Sequence, residues 1–227
     1  MIKATNRQRP GWRGRTMSRR GLAACGGETV WEWHAWEHLA PEEYPINAQD
    51  SRDEWTHGNG IDRLPNGDDV ISFRNINLVG IISRETGDFT WRMGAPELAQ
   101  QHHPTVLPNG NIRIFDNGAH RLDNVLTYSR VIEVDPAASE IVWEYHDSTF
   151  MNFFSPFISG AQRMPNGNTM ITEGNFGRLF EVTAEGELVW EYISPHLTVN
   201  PFLGEGNSIF RAWRHSADDF LTDGAEL

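Results

Sequence analysis

The sequence contains a single cysteine and no apolar run long enough to cross a membrane. One cysteine cannot form a disulfide within the chain, so cysteine usage leaves the redox compartment open. A spanning helix needs about 18 consecutive apolar residues, so we expect no membrane span. Long segments with a 3.6-residue hydrophobic period are also lacking, which argues against a helical fold.

Basic residues are scarce as well, because 19 Lys and Arg stand against 31 Asp and Glu and give a net charge of −12. A nucleic-acid-binding protein needs a basic surface, so we expect no nucleic-acid partner. The basic residues cluster at the start, where residues 1–27 contain seven of them and no acid. A basic segment before an acidic body predicts a separate, disordered leader.

Within this leader, MSRRGLAAC resembles both a twin-arginine signal and a lipoprotein cleavage site at Cys25. Either signal needs roughly 7–15 apolar residues before the cleavage site. Only Gly21 to Ala24 stand there. We therefore predict no functional signal peptide, and the residues alone leave the compartment undecided.

What the sequence does contain is a repeated pair of phrases. The first phrase is a Pro-Asn-Gly turn, found as LPNGD at 64–68, LPNGN at 107–111 and MPNGN at 164–168. The second phrase carries a tryptophan, in TGDFTW, EIVWEY and ELVWEY, with a further copy, ETVWEW, near the start. The period of about 50 residues indicates a repeated supersecondary unit.

Each unit is predicted to consist of four strands. Segments such as DDVISFR, RVIEVD and RLFEVT are rich in β-branched residues and mostly alternate apolar with polar positions. Pro-Asn-Gly joins the first two strands, because Asn and Gly accept the positive φ of tight hairpins. A Thr-Gly or Glu-Gly turn joins the last two. Repeated four-stranded antiparallel units with a tryptophan on the outermost strand predict an all-β β-propeller, in which the tryptophan wedges between blades.

The propeller domain is predicted over 28–216, followed by a C-terminal tail at 217–227. Three complete blades are expected, at about 57–93, 102–145 and 157–192. Residues 28–37 resemble the last strand of an earlier blade, and 207–214 the first strand of a later one. Either these pieces pair to close a four-bladed ring, or the chain is a fragment of a larger propeller, which is the interpretation we favour.

Strand connectivity predicts that polar residues gather at the blade end opposite the Pro-Asn-Gly turns, which we call the polar rim. The start of the first strand, the end of the second and the start of the third all lie there, because successive strands alternate in direction. Loops at one end of a rigid scaffold often form binding sites. The residues predicted on this rim include His57, Asn59, Arg74, His102, His103, Asn117 and Arg130.

Each of these residues also has a structural interpretation. His57 and His102 stand before the first strand at equivalent positions of adjacent blades, but both histidines can hydrogen-bond to backbone between blades. Arg130 can pair with an acidic strand, and Asn117 can occupy a turn. The residues alone leave these alternatives open.

The same motifs resemble those of a known family, the aryl-sulfate sulfotransferases, which are β-propeller proteins. The resemblance runs from about Thr29 to Arg214 and rests on THGNGIDRLPNGDDVISFRN, TGDFTW, QQHHPTVLPNGNIRIFDNG, SRVIEVDP, SGAQRMPNGNTMITEG and GRLFEVTAEGELVWEY. One difference is that the family's usual Gln-His-Asp is Gln-His-His here, so His103 replaces an acid.

The resemblance implies transfer of a sulfuryl group from a phenolic sulfate ester to a phenol through a sulfated histidine. It implies small-molecule phenolic partners, no nucleotide sulfate donor, no cofactor, no metal, and a secreted or periplasmic location. His102 is the candidate nucleophile, His57 the acid/base or an oxygen ligand, and Arg130 the group that holds sulfate. The residues implied in substrate binding are Asn59, Asn117, Arg74 and His103.

Two other functions remain possible from the sequence. A non-catalytic propeller would bind a partner or a small anionic ligand on the same rim, because propellers host many unrelated functions. A quinoprotein is suggested by TGDFTW, which matches the Thr-Gly-x-x-x-Trp phrase of pyrroloquinoline quinone propellers, but no convincing calcium or quinone ligand set accompanies it.

Overall fold

Each Pro-Asn-Gly phrase forms a tight turn between two antiparallel strands. The computed structural model describes residues 5–7, 17–23, 29–48, 50–200 and 204–215. In it Gly67, Gly110 and Gly167 have φ values of 93°, 90° and 89°, a region that glycine enters at little cost. The amide of each glycine donates to the carbonyl of the apolar residue that opens the phrase, as from Gly67 to Leu64 at 2.9 Å. The predicted hairpin chemistry is therefore confirmed.

Three four-stranded antiparallel sheets follow one another along the chain, each with its strands in sequence order. Blade one consists of β4 (Gly58–Arg63), β5 (Asp69–Phe73), β6 (Leu78–Ile82) and β7 (Phe89–Met93). Blade two consists of β8 (His102–Val106), β9 (Ile112–Asp116), β10 (Arg130–Asp135) and β11 (Glu140–Tyr145). Blade three consists of β12 (Gly160–Arg163), β13 (Thr169–Glu173), β14 (Arg178–Val182) and β15 (Leu188–Ile193). The predicted all-β architecture of four-stranded blades is confirmed.

Shorter elements flank and connect the blades. A three-stranded sheet comprises β1 (Thr5–Arg7), β2 (Met17–Ala23) and β3 (Thr29–His34), and α1 (Ala35–His38) follows it. A two-stranded sheet pairs β16 (Thr198–Asn200) with β17 (Gly204–Gly206). The 3₁₀ helices are Arg74–Ile76, Phe150–Asn152 and Gly174–Phe176. No helix in the described part of the chain is long and apolar enough to span a membrane.

The two ends of the chain are only partly described. Strands β1 and β2 come from the segment that the sequence marks as a basic leader, while the rest of that leader and the tail at 217–227 lie outside the described residues. Residues 207–214, expected to begin a later blade, run beside blade three without forming a strand. There the amide of Ile209 donates to the carbonyl of Gly174, and that of Arg214 to Gln162 Oε1. The division of the chain into leader, propeller and tail stays a prediction.

The hydrophobic core lies between successive blades. Val70 and Val79 of blade one pack with Ile112, Ile114 and Ile132 of blade two. A second cluster joins blade two to blade three and contains Phe115, Val131, Tyr145, Phe153, Ile171 and Phe180. Alternate residues of β9 therefore face opposite neighbours, as the pleat of a strand requires.

Tryptophan side chains connect neighbouring sheets: Trp143 does so as the sequence predicts, whereas near the start of the chain Trp33, and not the predicted Trp31, makes the contact. Trp33 Nε1 donates to the carbonyl of Gly87 in the last turn of blade one at 2.8 Å. Trp143 Nε1 likewise donates to the carbonyl of Ala184 in the last turn of blade three at 2.7 Å. These two indoles thus satisfy their single polar group, whereas the buried Nε1 of Trp91 on β7 has no hydrogen-bond partner among the described residues.

Candidate functional site

His102 opens β8 on the polar rim and is almost fully buried, with 4% of its surface exposed. Its Nδ1 lies 2.8 Å from Asn117 Oδ1 and 3.2 Å from the carbonyl oxygen of Gln100. The Nδ2 of Asn117 donates to the carbonyls of Ser155 at 2.7 Å and Ile158 at 3.1 Å. These two bonds fix the amide, so its oxygen must face the imidazole.

The tautomer of His102 follows from these partners. Both atoms next to Nδ1 are hydrogen-bond acceptors, so Nδ1 carries the proton. The neutral ring therefore presents the lone pair of Nε2. The hydrogen bond on one ring nitrogen commonly determines the state of the other.

Burial lowers the pKa of His102 to about 4, despite the opposing effect of its hydrogen bond to Asn117. The positive charges of Arg74 and His57 lower this pKa further. The imidazole is therefore neutral at pH 7. A neutral imidazole with a free lone pair is a competent nucleophile.

His57 lies just before β4 and contacts an acidic residue. Its Nδ1 is 2.5 Å from Glu54 Oε2, and the side chain is about half exposed. The carboxylate orients the ring, as acidic partners of acid/base histidines do. The backbone of His57 has a φ of 48°, and its carbonyl accepts the amide of Arg74 at 3.1 Å. The residue just before β4 is thus hydrogen-bonded to the residue that follows β5.

Arg74 lies at the centre of a polar network that the sequence did not predict. Its Nη2 donates to Gln100 Oε1 at 2.9 Å and its Nη1 to Asn75 Oδ1 at 2.9 Å. The Nε2 of Gln100 donates to both carboxylate oxygens of Asp50, at 2.7 and 2.6 Å. Asp50 and Gln100 therefore hold Arg74 near His102. Neither residue belongs to a repeated phrase, so no sequence pattern pointed to them.

The register of the strands separates the two histidines that the sequence had placed at equivalent positions. His102 pairs with Phe115, whereas Gly60 pairs with Ser72, the residue that matches Phe115 in the repeat. His102 therefore corresponds to Gly60 rather than to His57, which lies three residues earlier. The equivalence of the two histidines was wrong, although the structure still brings them within electrostatic range.

His103 lies within an irregularity of the β8–β9 register and faces blade three. The pairing of β8 with β9 is irregular between His102 and Thr105, and His103 has a φ of 53°. Its Nδ1 accepts the amide of Ala161 at 3.2 Å, and its ring packs edge-on against Trp213 at 5.1 Å. Burial lowers its pKa to about 3, and nearby arginine charges add to the effect. His103 thus links two blades.

Arg130 is held by three protein groups. Its Nε donates to Asp116 Oδ2 at 2.9 Å, its Nη1 to Glu144 Oε2 at 2.9 Å, and its Nη2 to the carbonyl of Glu97 at 2.6 Å. Burial raises the pKa of the Asp116 carboxyl, and the positive charge of Arg130 counteracts this rise. Every nitrogen of the guanidinium therefore already has a protein partner.

Asn59 bonds to the neighbouring blade. Its Nδ2 donates to the carbonyl of Gln101 at 2.7 Å. Its Oδ1 is buried and finds no hydrogen-bond partner in the described ranges. Over those ranges, no group of three or more His, Cys, Asp or Glu side chains is arranged to hold a metal ion.

Comparison of the sequence with protein-family models gives a match over residues 23–195, well over half of the chain, to the family described as arylsulfotransferase (ASST). Among curated proteins, no sequence matches.

Solved structures similar to this chain include several β-propellers. A protein of unknown function from Bacteroides caccae has a TM-score of 0.55 and 16% identity, covering 79% of this chain and 56% of its own. The WD40 β-propeller domain of Doa1 has a TM-score of 0.51 and 10% identity, covering 81% and 51%. A catalytically inactive virginiamycin B lyase from Staphylococcus aureus, solved with quinupristin, has a TM-score of 0.50 and 16% identity, covering 80% and 52%. The chain thus spans about half the length of these structures, and the likeness supports the fold alone.

Proposed function

Because this chain belongs to the arylsulfotransferase family, we propose that it transfers a sulfuryl group from a phenolic sulfate ester to a phenolic acceptor, with His102 as nucleophile. The observation that carries this proposal is the hydrogen bond of His102 Nδ1 to an Asn117 oxygen, which leaves the Nε2 lone pair available. A nucleophile must be unprotonated where it attacks, and the buried ring of His102 meets that requirement near neutral pH.

In the first half of the reaction, Nε2 of His102 attacks the sulfur of the donor ester. The new nitrogen–sulfur bond forms as the sulfur–oxygen ester bond breaks, and the phenolate leaves with that electron pair. The protonated ring of His57 gives its proton to the phenolate, and its Glu54 contact holds the ring for this transfer. The enzyme is left sulfated on His102.

In the second half, the acceptor phenol loses its proton to His57 and attacks the same sulfur. The nitrogen–sulfur bond breaks and returns its electron pair to Nε2 of His102. The net reaction exchanges one phenol for another on the sulfate, so neither an oxidant nor a nucleotide donor is needed. This symmetry suits a histidine that acts first as acid and then as base.

Two neighbours support the charges that develop. Sulfation makes the ring of His102 cationic, and the Asn117 oxygen continues to accept its Nδ1 proton. Arg74 lies close enough to affect His102 electrostatically, and a guanidinium can donate to sulfuryl oxygens in a planar, bidentate manner. We assign Arg74 to the sulfuryl group and the unpartnered Oδ1 of Asn59 to the phenolic end of the substrate.

The remaining predicted site residues receive positioning roles in this proposal. Arg130 and Asp116 fix the end of β9, where Asn117 follows immediately. His103 holds β8 against blade three through the amide of Ala161. The side chains of Arg130 and His103 therefore act on the substrate only through Asn117 and His102. This role of Arg130 differs from the sulfate-holding role that the resemblance implies for it.

The proposal is tested with 4-nitrophenyl sulfate as donor and phenol as acceptor. We expect phenol-dependent release of 4-nitrophenol, and a peptide containing His102 that gains one sulfuryl group when the acceptor is omitted. His102→Asn keeps an amide nitrogen where Nδ1 was but lacks Nε2, so turnover should fall to the buffer rate. His146→Asn, a change of the same kind at an exposed histidine just after β11, serves as the matched control.

Nitrophenol release by the wild-type protein and by the histidine variants distinguishes an error in the proposed reaction from an error in the assigned nucleophile. A folded wild-type protein that releases no nitrophenol above buffer would refute the sulfuryl transfer. Turnover that survives in His102→Asn but disappears in His57→Asn would move the nucleophile to His57.

A further inference from the structure

The sheet of β1, β2 and β3 has the register of a blade that lacks its first strand. In the complete blades, the third and fourth strands shift register just after the residue that pairs with the tryptophan, namely after Ile81, Glu133 and Glu181. β2 and β3 show the same shift after Leu22, which pairs with Trp31. β1, β2 and β3 therefore correspond to the second, third and fourth strands of a blade. Among the described residues, no strand pairs with the far edge of β1.

The segment 207–214 occupies the place of a first strand beside blade three. Arg163, which ends the first strand of blade three, donates to a glutamate of blade two at 2.8 Å and lies over a tryptophan ring of that blade at 5.0 Å. Arg214 repeats both contacts on blade three, because it pairs with Glu181 and lies over the Trp190 ring at 4.6 Å. The segment therefore matches the strand that the sheet of β1 to β3 lacks.

The backbone of this segment is also placed like that of a first strand. In β8, the amide of Val106 donates to Asp62 Oδ2 of the preceding blade at 2.8 Å. The amide of Arg214 donates in the same way to Gln162 Oε1 of blade three at 2.8 Å. Backbone groups of a strand alternate between its two edges, so the amide of Arg211, at an odd spacing from Arg214, faces the edge along which a second strand would pair. An unpaired strand edge can pair with another chain.

The face of blade three that is turned away from blade two is uncovered, whereas the matching faces of the other blades are packed. Trp91 and Tyr145, on the fourth strands of blades one and two, are each 8% exposed. Both lie in clusters that include residues of the following blade. Trp190 and Tyr192, on the fourth strand of blade three, are 39% and 40% exposed. Blade three therefore lacks a following blade over its outer strands.

The curvature of the chain favours a second copy as the source of that blade. The chain matches about half of the Doa1 propeller, and propeller blades turn around a central channel. Closing the ring within one chain would need about twice that turn per blade. In the described chain, β1 also forms no sheet with the segment 207–214. Two chains in head-to-tail order would instead fill one ring.

The sequences beside the two joining parts are opposite in charge. Residues 1–27 contain seven basic residues and no acid, whereas residues 216–227 contain four acids and no base. Head-to-tail contact would bring unlike charges together at each join, while contact between like ends would bring like charges together. The charge pattern therefore favours a head-to-tail contact, which is of the kind that closes rings.

We propose that two copies of this chain form one propeller ring, in which the segment 207–214 of each copy pairs with β1 of the other. Each such composite blade takes its first strand from one copy and its second, third and fourth strands from the other. A two-fold axis relates the two composite blades. The residues at these joins are not those assigned to sulfuryl transfer, so either proposal can fail without the other.

The first test is the mass of the purified full chain, measured by sedimentation equilibrium. At micromolar concentration we expect a species of twice the 25.8 kDa of one chain. A monomer, whether its ring is open or closed on itself, would overturn the proposal. An open series of larger oligomers would overturn it too, because the head-to-tail contact would then fail to close.

Two proline substitutions test the composite blades. Arg211→Pro and Asn6→Pro each remove a strand amide from one part of the composite blade, and each change occurs twice in the dimer. We expect the Kd of the dimer to rise about 10–100-fold. Arg211→Ala and Asn6→Ala keep these amides and are the matched controls, which should retain the wild-type Kd. An equal Kd for the proline and alanine variants would contradict the pairing.

Mixing the two proline variants tests the head-to-tail order. In the mixed dimer, one composite blade carries both prolines and the other carries none. The two variants should therefore bind each other more tightly than either binds itself, a gain that an unfolded variant could not give. If both variants are folded by circular dichroism and mixing gives no gain, the head-to-tail ring is refuted.

Discussion

Burial of a neutral His102 predicts a loss of stability on acidification that one substitution should remove. The native pKa is about 4, while an unfolded histidine has a pKa of about 6.5. Between these values the unfolded chain binds a proton that the native ring does not. Native stability therefore falls as the pH drops from about 6.5 to about 4.

The size of this loss follows from the shift. Each pKa unit corresponds to about 1.4 kcal/mol, so the full penalty below pH 4 is about 3 kcal/mol. At pH 5, where other acid effects are still moderate, the penalty from His102 is about 2 kcal/mol, and at pH 7 it is close to zero. An effect of this size is a substantial part of the stability of a typical domain.

The assay is urea unfolding of wild type and His102→Asn at pH 7 and at pH 5. The variant keeps an amide that can donate to Asn117 and has no group titrating in this range. Both proteins share the other titratable groups, including His103, so the difference between their pH dependences isolates His102. We expect the free energy of unfolding to fall by about 2 kcal/mol more in wild type than in the variant.

Equal pH dependence in the two proteins would refute the reasoning, because His102 would then titrate as a hydrated histidine. The tautomer is tested independently by nitrogen NMR of ring-labelled protein at pH 7, where Nδ1 of His102 should carry the proton. A signal from protonated Nε2 would remove the lone pair on which the proposed nucleophile depends.

Two further predictions concern residues beside His102. His57→Gln should lower kcat by roughly 10²–10⁴ with phenyl sulfate and by much less with 4-nitrophenyl sulfate, whose leaving group needs little protonation; equal losses with the two donors would contradict the acid role. Arg130→Met should cost less in urea unfolding than the roughly 3–5 kcal/mol of a fully broken buried ion pair, because the fully buried Asp116 loses Arg130 but keeps Arg121 at 3.0 Å. In the fraction that stays folded, the KM for the sulfate ester should be unchanged, whereas a raised KM would indicate that Arg130 touches the substrate.

The repeat and its turns could be predicted because their causes are local. Pro-Asn-Gly forms a tight turn from the conformational preferences of its own residues, and alternating apolar positions mark a strand within a few residues. The contact of Trp143 with the next blade could also be predicted, because an aromatic side chain at a fixed position of each repeat unit needs a packing partner in the neighbouring unit.

The details of the candidate site could not be predicted from the sequence, because they depend on register and on contacts between distant segments. The irregularity at His103 changes which residue of blade one matches His102. Asp50, which accepts from Gln100 in the network around Arg74, lies in a loop without repeat character. The guanidinium of Arg130 has a hydrogen-bond partner at every nitrogen only because the Glu97 carbonyl adds to the carboxylates of its own sheet.

The state of His102 depends on a blade that supplies no side chain to the proposed chemistry. The Asn117 amide is fixed by the carbonyls of Ser155 and Ile158, in the segment that leads into β12. If that segment shifts, the amide is free to turn, and its nitrogen would then face Nδ1 of His102. The ring would have to take the other tautomer, with its proton on Nε2. Packing between blades two and three therefore determines whether His102 presents a nucleophilic lone pair.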